Sequence, residues 1–265
     1  MSGRGSERGL ALVSVLWGIS ILSLIAAAML TASVTSAHLD RNAWNAARGG
    51  AVADAAVAKG VLALLDQRAA PRLDGTATSF ALDGVAVRLR IQDESGRINL
   101  NYAPKELLQG LFVSAGLTDD DAGALAARIV KLREPRSADA PPTLAFRAVD
   151  ELLALPGVSR ALLDRVAPAL TVYGRSGALN SAVAPREALR ALPGMSEQAI
   201  DDLLRARDAA AQAAARSSLA GTPVAPGAAF RVSADLSVDG ARTLRVAVVQ
   251  FTGDAARPYL VLAWQ

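Results

Sequence analysis

The side chains that usually carry catalysis or bind metals are scarce in this sequence. His38 is the only histidine and cysteine is absent, which excludes disulfides, thiolate metal sites and a CxxC redox pair. A single histidine also excludes a His-rich zinc site and disfavours a Ser-His-Asp triad. The carboxylate run Asp119-Asp120-Asp121 fits the capping of a helix N-terminus better than a Ca²⁺ site, which needs about six to eight oxygen ligands. The residue types therefore predict a protein that is not an enzyme.

A long uncharged segment lies near the N-terminal end of the chain. No charged residue occurs from Leu10 to Ala37, and the most apolar part, Leu10 to Leu30, matches the ~20 residues that a helix needs to cross a bilayer. A cleaved secretory signal would have an apolar region of roughly 7–15 residues and a small-residue cleavage site, for which Ala26 to Ala28 is the candidate. The preceding basic residues Arg4 and Arg8 predict a cytoplasmic N-terminus, with everything after residue 37 on the far side of the membrane.

Helical periodicity continues beyond this segment. Apolar residues recur at steps of three and four, which predicts one long helix whose second half packs on a folded domain through an amphipathic stripe. The stripe consists of Trp44, Ala47, Ala51, Ala55, Ala58, Leu62 and Leu65. Glycines at positions 49, 50 and 60 weaken this half of the helix, and Pro71 is predicted to end it.

Period-two alternation predicts strands on both sides of a helical region. A hairpin is predicted at Thr78–Leu82 and Val85–Ile91, with Asp83-Gly84 as its two-residue turn. Three further strands are predicted at Phe230–Val238, Arg242–Phe251 and Pro258–Trp264, with Asp239-Gly240 and the Gly253–Arg257 stretch as the turns between them. The predicted fold is therefore α+β, in which a long N-terminal transmembrane and amphipathic helix packs on a small antiparallel β-sheet with a large all-helical insertion domain.

Two motifs are repeated within the helical region. The stretch Ile98-Asn99-Leu100-Asn101 with Ala103-Pro104 is echoed by Leu179-Asn180 with Ala184-Pro185. Each proline is predicted in a first helical turn, and the asparagines in backbone-bonding turns. The second echo is Leu155-Pro156-Gly157-Val158-Ser159 against Leu192-Pro193-Gly194-Met195-Ser196. It predicts a helix that ends at Pro-Gly, followed by a second helix with serine as its N-cap.

These Pro-Gly units resemble helix-hairpin-helix modules, in which backbone N–H groups at the turn bind a DNA phosphate. Arg160 and Arg165 flank the first turn, but Glu197, Asp201 and Asp202 surround the second and would repel phosphate. The net charge of +3 is too small for a nucleic-acid footprint. We therefore interpret the units as simple helix packing and expect no nucleic-acid partner. A membrane-anchored helix-hairpin-helix DNA-binding protein stays an alternative.

The residues around the start of the uncharged segment resemble the leader of type IV prepilins. Arg8-Gly9 is followed by Leu10-Ala11-Leu12-Val13-Ser14-Val15-Leu16-Trp17. The resemblance implies that a membrane prepilin peptidase cuts between Gly9 and Leu10 on the cytoplasmic side, and that the apolar helix is retained. Most family members carry Glu at the fifth mature position, which is Ser14 here. The K-type minor pseudopilins of type II secretion also lack that Glu.

Over nearly the whole chain, the order of segments resembles the GspK-type minor pseudopilins of the type II secretion system, which belong to the type IV pilin-like family. The strongest pieces are Asp93–Pro104, Glu151–Ser159, Leu170–Gly174 and the second Asn/Ala-Pro motif. The resemblance implies the following regions: a leader at 1–9, a transmembrane helix at 10–34, an amphipathic helix with the first strands of a pilin-like domain at 35–103, a helical insertion domain at 104–216, and closing strands at 217–265.

The resemblance implies assembly without catalysis. The subunit would cross the bacterial inner membrane once, with a periplasmic C-terminal domain, and would initiate and cap the tip of the periplasmic pseudopilus. Its implied partners are the I- and J-type minor pseudopilins, the pseudopilus, the prepilin peptidase and inner-membrane lipid. Calcium is linked to an acidic segment of the family, which Lys131, Arg133 and Arg136 replace here, so we expect no calcium and no other cofactor. A signal-anchored periplasmic binding module is the second alternative.

Overall fold

The structure of this protein is a computed structural model that describes residues 6–66, 71–134, 145–217 and 224–265. Within its helices, the side chains of residues 6–12, 30–38 and 215–217 lie outside the description. The first helix runs for 60 residues, or about 90 Å at a rise of ~1.5 Å per residue. It ends at Leu65, where Asp66 N donates to Leu62 O at 2.9 Å, which is earlier than the predicted end at Pro71.

The described chain combines helices with one antiparallel sheet. The helices are α1 (Ser6–Leu65), α2 (Lys105–Ser114), α3 (Asp119–Arg133), α4 (Arg160–Val166), α5 (Arg186–Leu189) and α6 (Glu197–Ser217). The strands are β1 (Thr78–Leu82), β2 (Val85–Asp93), β3 (Ile98–Asn99), β4 (Leu170–Thr171), β5 (Ala229–Val238), β6 (Ala241–Asp254) and β7 (Arg257–Trp264). The sheet order is β1-β2-β5-β6-β7, while β3 and β4 form a separate parallel pair. The prediction of an α+β fold with an antiparallel sheet is confirmed.

Two Asp-Gly turns join neighbouring strands of this sheet. Asp83 and Gly84 have φ values of 50° and 72°, and Asp239 and Gly240 have φ values of 48° and 85°. Positive φ at both central residues is the geometry of a type I′ turn, whose twist matches that of the flanking strands. The predicted hairpin between β1 and β2 is therefore confirmed, and the second turn joins β5 to β6.

The face of α1 that packs on the sheet differs from the predicted one. All seven residues of the predicted stripe, from Trp44 to Leu65, are exposed. The buried face packs against β2, β5 and β6; it is formed by Val52, Ala53, Ala56, Val57, Val61 and Leu64. The prediction of the stripe is wrong because alanines occur on every side of this helix, so apolar spacing alone does not distinguish one face from another.

Glycines allow α1 to lie close to the sheet. A Cβ atom on Gly49 would come within 2.7 Å of Thr243 Oγ1, closer than real side-chain contacts allow. Gly60 faces β5 in the same way. Both glycines lower the intrinsic helix stability, as the sequence predicts, and they also remove the atoms that would hold the helix away from the strands.

The helices between β2 and β5 enclose a second hydrophobic core, distinct from the one between α1 and the sheet. Its completely buried side chains include Leu100, Leu108, Phe112, Ile129, Leu163 and Leu189. Helices α2 and α3 pair around Gly116-Leu117-Thr118. Thr118 caps α3 by accepting a hydrogen bond from Asp121 N at 3.2 Å, which satisfies a backbone donor of the first turn.

The repeated motifs place equivalent residues at equivalent helix starts. Ser159 Oγ accepts from Leu162 N at 3.1 Å, and Ser196 Oγ accepts from Ala199 N at 3.2 Å, which confirms both predicted serine caps. Pro104 and Pro185 lie directly before α2 and α5 in extended backbone conformation. They are therefore N-cap residues, one position earlier than the predicted first turn.

Candidate assembly interface

The residues of the predicted leader junction lie near the start of α1. Gly9 and Leu10 are helical, but their side chains lie outside the description, as do residues 1–5 altogether. Ser14 follows about one turn later on the same helix, with an exposed side chain. All three residues are thus on one continuous helix, and cleavage between Gly9 and Leu10 stays a prediction.

The first half of α1 presents apolar side chains on all sides. Every residue from 13 to 29 is exposed, including Leu16, Trp17, Leu22 and Leu24. Ser20 is one of the polar residues, and its hydroxyl donates to Leu16 O at 2.8 Å, which satisfies the group within the helix. Among the residues that the structure describes, no helix reaches both the length and the apolarity that a membrane crossing requires.

The second half of α1 has an uncovered face opposite the sheet, formed by the seven residues of the predicted stripe and here called the back face. Trp44 is 71% exposed and Leu62 is 64% exposed, and alanines occupy the four positions between them. Small side chains allow a neighbouring helix to approach closely. Because the apolar residues 13–29 belong to the same helix, α1 carries apolar surface along most of its length, an arrangement that suits side-by-side packing of helices.

The asparagines of the first repeated motif hold distant segments together. Asn99 Oδ1 accepts from Asn101 N at 2.9 Å, which is the predicted local turn, but Asn99 Nδ2 also donates to Tyr173 O at 2.8 Å. Asn101 donates to Phe146 O and accepts from Phe146 N, both at 2.9 Å. These long-range bonds were not predicted, because sequence spacing does not reveal which remote backbone a side chain reaches.

A buried ion pair joins the sheet to the helical region. The Glu94 side chain is 1% exposed, and Arg231 Nε on β5 donates to its Oε1 at 2.9 Å. The Arg231 guanidinium also lies 6.0 Å from the ring centroid of Tyr173, within the range of a cation–π contact. Arg97 lies nearby, and burial lowers its pKa while the Glu94 charge opposes that shift. In the described part of the chain, Glu94 Oε2 and Arg97 Nε have no hydrogen-bond partner.

Further polar contacts fix the same junction. Gln92 on β2 donates from Nε2 to Val183 O at 3.0 Å. A Cβ on Gly96 would meet that carbonyl oxygen at 2.6 Å, so the two backbones nearly touch. Arg72, just before β1, bonds Asp74 and reaches Asp208 Oδ1 on α6 at 2.6 Å. The helical region is therefore held against the sheet at several points and presents a fixed surface.

Charged residues at both Pro-Gly turns form ion pairs within the protein. At the first turn, Arg160 lies 3.0 Å from Asp164 Oδ1 and 3.7 Å from Asp150 Oδ1. At the second, Arg186 bonds Asp201, and Arg190 Nε donates to Glu197 Oε1 at 2.7 Å. Hydrogen bonding to Asp201 raises the pKa of Arg186, and hydrogen bonding from Arg190 lowers the pKa of Glu197. This pairing gives no support to phosphate binding at the turns.

The side chains of the Asp119–Asp121 run form local hydrogen bonds at the N-terminus of α3. Asp121 Oδ2 accepts from Thr118 Oγ1 at 2.7 Å, and Asp119 Oδ1 accepts from Gln109 Nε2 at 2.8 Å. Among the described residues, no group of three or more His, Cys, Asp or Glu side chains is placed to hold a metal ion. Arg133, one of the predicted basic replacements, donates to Ala103 O at 2.9 Å, and burial lowers its pKa.

Comparison with known proteins found similarity to solved structures. No protein-family model and no curated protein matches the chain. Among solved structures, a chain of the GspK-GspI-GspJ complex from the type 2 secretion system of enterotoxigenic Escherichia coli is 14% identical, with a TM-score of 0.47. The match covers 88% of this chain and 98% of that chain.

Proposed function

We propose that this chain is a GspK-type minor pseudopilin, a single-pass protein of the bacterial inner membrane that initiates and caps the tip of a periplasmic pseudopilus. The observation that carries the proposal is the charge pattern and packing of α1. Its uncharged residues 10–37 follow a basic segment that ends in Gly9, and its second half packs on an antiparallel sheet through one face only. The order of the sequence motifs after α1 supports the same family.

The uncharged segment at 10–34 is the membrane anchor in this proposal. Apolar side chains exposed to water cost free energy, at about 25 cal/mol per Å². Lipid removes that cost for residues such as Leu16 and Trp17, which lie exposed on α1. The basic residues Arg4 and Arg8 hold the preceding end in the cytoplasm, so the sheet and the helical region lie in the periplasm.

The back face of α1 is the surface that binds the other minor pseudopilins. Its alanines and Trp44 are exposed on the side opposite the sheet-packed face, so a partner helix of an I- or J-type subunit can pack along it without disturbing the fold. The helical region suits a tip position because it adds a bulky, rigidly attached body to the sheet. Arg160, Arg186 and Arg190 at its two Pro-Gly turns are paired internally, which fits a structural role without catalysis or cofactor.

The proposal is tested by the N-terminus of the mature protein, expressed in a host that carries a prepilin peptidase. Mass spectrometry should show a chain that begins at Leu10. The variant Gly9→Leu should keep its leader, because the peptidase accepts a small residue before the cut. The control Gly5→Leu alters a leader glycine away from the cut and should be processed normally.

Two outcomes would contradict the proposal. A mature chain that begins directly after one of the alanines 26–28 would identify a secretory signal and remove the anchor. A Gly9→Leu protein that still begins at Leu10 would show that cleavage does not depend on the glycine, which rejects the prepilin leader.

A further inference from the structure

The face of the sheet that α1 does not cover carries a group of arginines. Helix α1 packs on the side that contains Val87, Leu89 and Leu236. Successive residues of a strand point to opposite faces, so Arg88 and Arg90 of β2 lie on the other side of the sheet, here called the outer face. These arginines therefore take no part in the packing of α1.

A buried carboxylate lies at the centre of the group. Asp235 of β5 pairs with Arg88 across the outer face, and Arg242 of β6 pairs with Ser237, the next β5 residue on that face. The Asp235 side chain is 5% exposed, whereas those of Arg88 and Arg242 are 58% and 70% exposed. The two guanidiniums thus cover the carboxylate and are themselves accessible to a ligand.

Asp235 holds both arginines in place. Arg242 donates from Nε to Oδ1 at 3.0 Å and from Nη2 to Oδ2 at 2.9 Å, and Arg88 donates from Nη2 to the same Oδ2 at 3.0 Å. An arginine has five N–H donors, so each side chain has donors that Asp235 does not use. Binding to side chains that are already held in one orientation costs less conformational entropy. The arrangement therefore offers oriented donors to a second anion.

The positive charge around Asp235 exceeds what this carboxylate neutralises. Arg90 lies two residues from Arg88 on the same face, opposite Ser233. Hydrogen bonding from Arg242, together with the charges of Arg88 and Arg90, lowers the pKa of Asp235. The carboxylate is therefore ionised at neutral pH, and a single negative charge stands against three guanidiniums.

The neighbouring described charges do not cancel this excess. Arg231, which is also on the outer face, is paired with the buried Glu94. Asp83, in the β1–β2 turn, accepts hydrogen bonds from an arginine of α1. Asp239 lies in the β5–β6 turn, beyond the last paired residues of those strands and four residues from Asp235. The outer face around Asp235 is thus an anion-attracting surface.

The spacing of the arginines fits an extended segment with several carboxylates. Arg88 and Arg90 lie about 6.6 Å apart along β2, which is also the spacing of alternate residues in an extended peptide. Through their strand partners, Arg90 and Arg242 are offset by four residues and two strands, or about 13 Å along and about 10 Å across the sheet. One small anion does not span that distance. Leu244, which pairs with Asp235 and is 54% exposed, adds an apolar contact beside the charges.

We propose that the outer face around Asp235 binds an acidic segment of another protein chain. The segment carries Asp or Glu at alternate positions, which bind Arg88, Arg90 and Arg242, and an apolar side chain that contacts Leu244. The apolar contact favours a peptide over a lipid headgroup. A second copy of this chain is disfavoured, because the symmetric contact that most homodimers use would place the two arginine groups against each other.

The test uses the full chain in detergent and a fluorescent, capped peptide, Glu-Leu-Glu-Ser-Glu, as the probe. We expect saturable binding by fluorescence anisotropy at low ionic strength, weakened several-fold by Arg90→Gln, which leaves the hydrogen bonds of Asp235 intact. The control Arg165→Gln removes the same charge from an exposed position on α4 and should bind like the wild type. A probe with Gln in place of every Glu should not bind. Circular dichroism melting verifies that each variant is folded.

Four outcomes would overturn the inference. Equal binding by the wild type and Arg90→Gln would show that this arginine is not part of a site. An equal loss of binding in Arg165→Gln would show that only net charge attracts the probe. Displacement of the probe by an equal concentration of glycerol phosphate would identify a lipid headgroup as the ligand. Self-association of the wild type that Arg90→Gln abolishes, measured by sedimentation, would identify a second copy. None of these results depends on leader cleavage, so the inference and the proposed function are tested separately.

Discussion

Gly60 on α1 lies so close to Val232 on β5 that a Cβ atom at position 60 would come within 2.7 Å of Val232 Cγ1. The substitution Gly60→Ala should therefore force the helix away from the sheet and lower the free energy of unfolding by about 1–3 kcal/mol. Gly50→Ala is the matched control, since its nearest atom would be Arg245 Nη2 at 3.7 Å. That change should raise stability by up to ~1 kcal/mol, the helix gain of Ala over Gly. Chemical denaturation of both variants measures the difference, and equal effects would reject the close packing.

Asn101 is the second position at which a substitution should lower the stability of the fold. Its buried amide satisfies both backbone groups of Phe146, so Asn101→Ala leaves a buried donor and a buried acceptor unpaired. We expect a loss of about 3 kcal/mol, measured by thermal or urea unfolding. Asn180 in the echoed motif is the control, because its side chain is exposed and water replaces its bonds. A similar loss of stability in Asn180→Ala would show that burial of the asparagine does not determine the loss on substitution.

Asp235 should make stability depend on pH in the acid range. Its buried carboxylate accepts hydrogen bonds from Arg242, and these bonds, with the charges of Arg88 and Arg90, lower its pKa. A carboxyl whose folded-state pKa lies below the unfolded value of about 3.9 stabilises the protein above that pH. The stabilisation is lost as pH falls through the folded-state pKa. Denaturation from pH 7 to pH 3 should therefore show a steeper loss in the wild type than in Asp235→Asn. The exposed turn variant Asp239→Asn should behave like the wild type.

Removing only one partner of the buried ion pair between Glu94 and Arg231 should destabilise the protein. Glu94→Gln leaves the Arg231 and Arg97 charges in a buried site without their carboxylate, at a cost on the order of 3 kcal/mol. The double variant Glu94→Gln/Arg231→Gln should recover part of that loss, because one of the uncompensated charges is removed. Urea unfolding of the two variants and the wild type measures the recovery. A double variant less stable than the single one would show that the pair is not the dominant interaction of the junction.

If the chain has the proposed function, its place in the pseudopilus should depend on Ser14. Within a filament, Glu at mature position five pairs with the buried N-terminal ammonium of another subunit, and an unpaired buried charge costs several kcal/mol. Ser14 is neutral and offers no such pairing, which is tolerable at the tip. Ser14→Glu should therefore reduce secretion or bring the subunit into the shaft, as measured by the composition of purified pseudopili. Normal secretion with the subunit confined to the tip would show that this position does not determine its location.

Local signals in the sequence determined much of the architecture. Asp83-Gly84 and Asp239-Gly240 predicted tight turns because Gly and Asp tolerate positive φ, and the structure has type I′ geometry at both. Ser159 and Ser196 were identifiable as N-caps because a hydroxyl before a helix satisfies an unpaired backbone donor. These features depend on residues a few positions apart, so they can be recognised in the sequence without knowledge of the fold.

The tertiary structure decided which surfaces are buried and which remain free. The stripe from Trp44 to Leu65 predicted the wrong face of α1, because the buried face is selected by how closely Gly49 and Gly60 let the helix approach particular strands. The partners of Asn101 and Glu94, and the arginines that surround Asp235, likewise depend on segments far apart in sequence. The spacing of apolar residues indicates that a helix has an apolar side. Which side packs on the sheet depends on the strands that the folded chain brings against the helix.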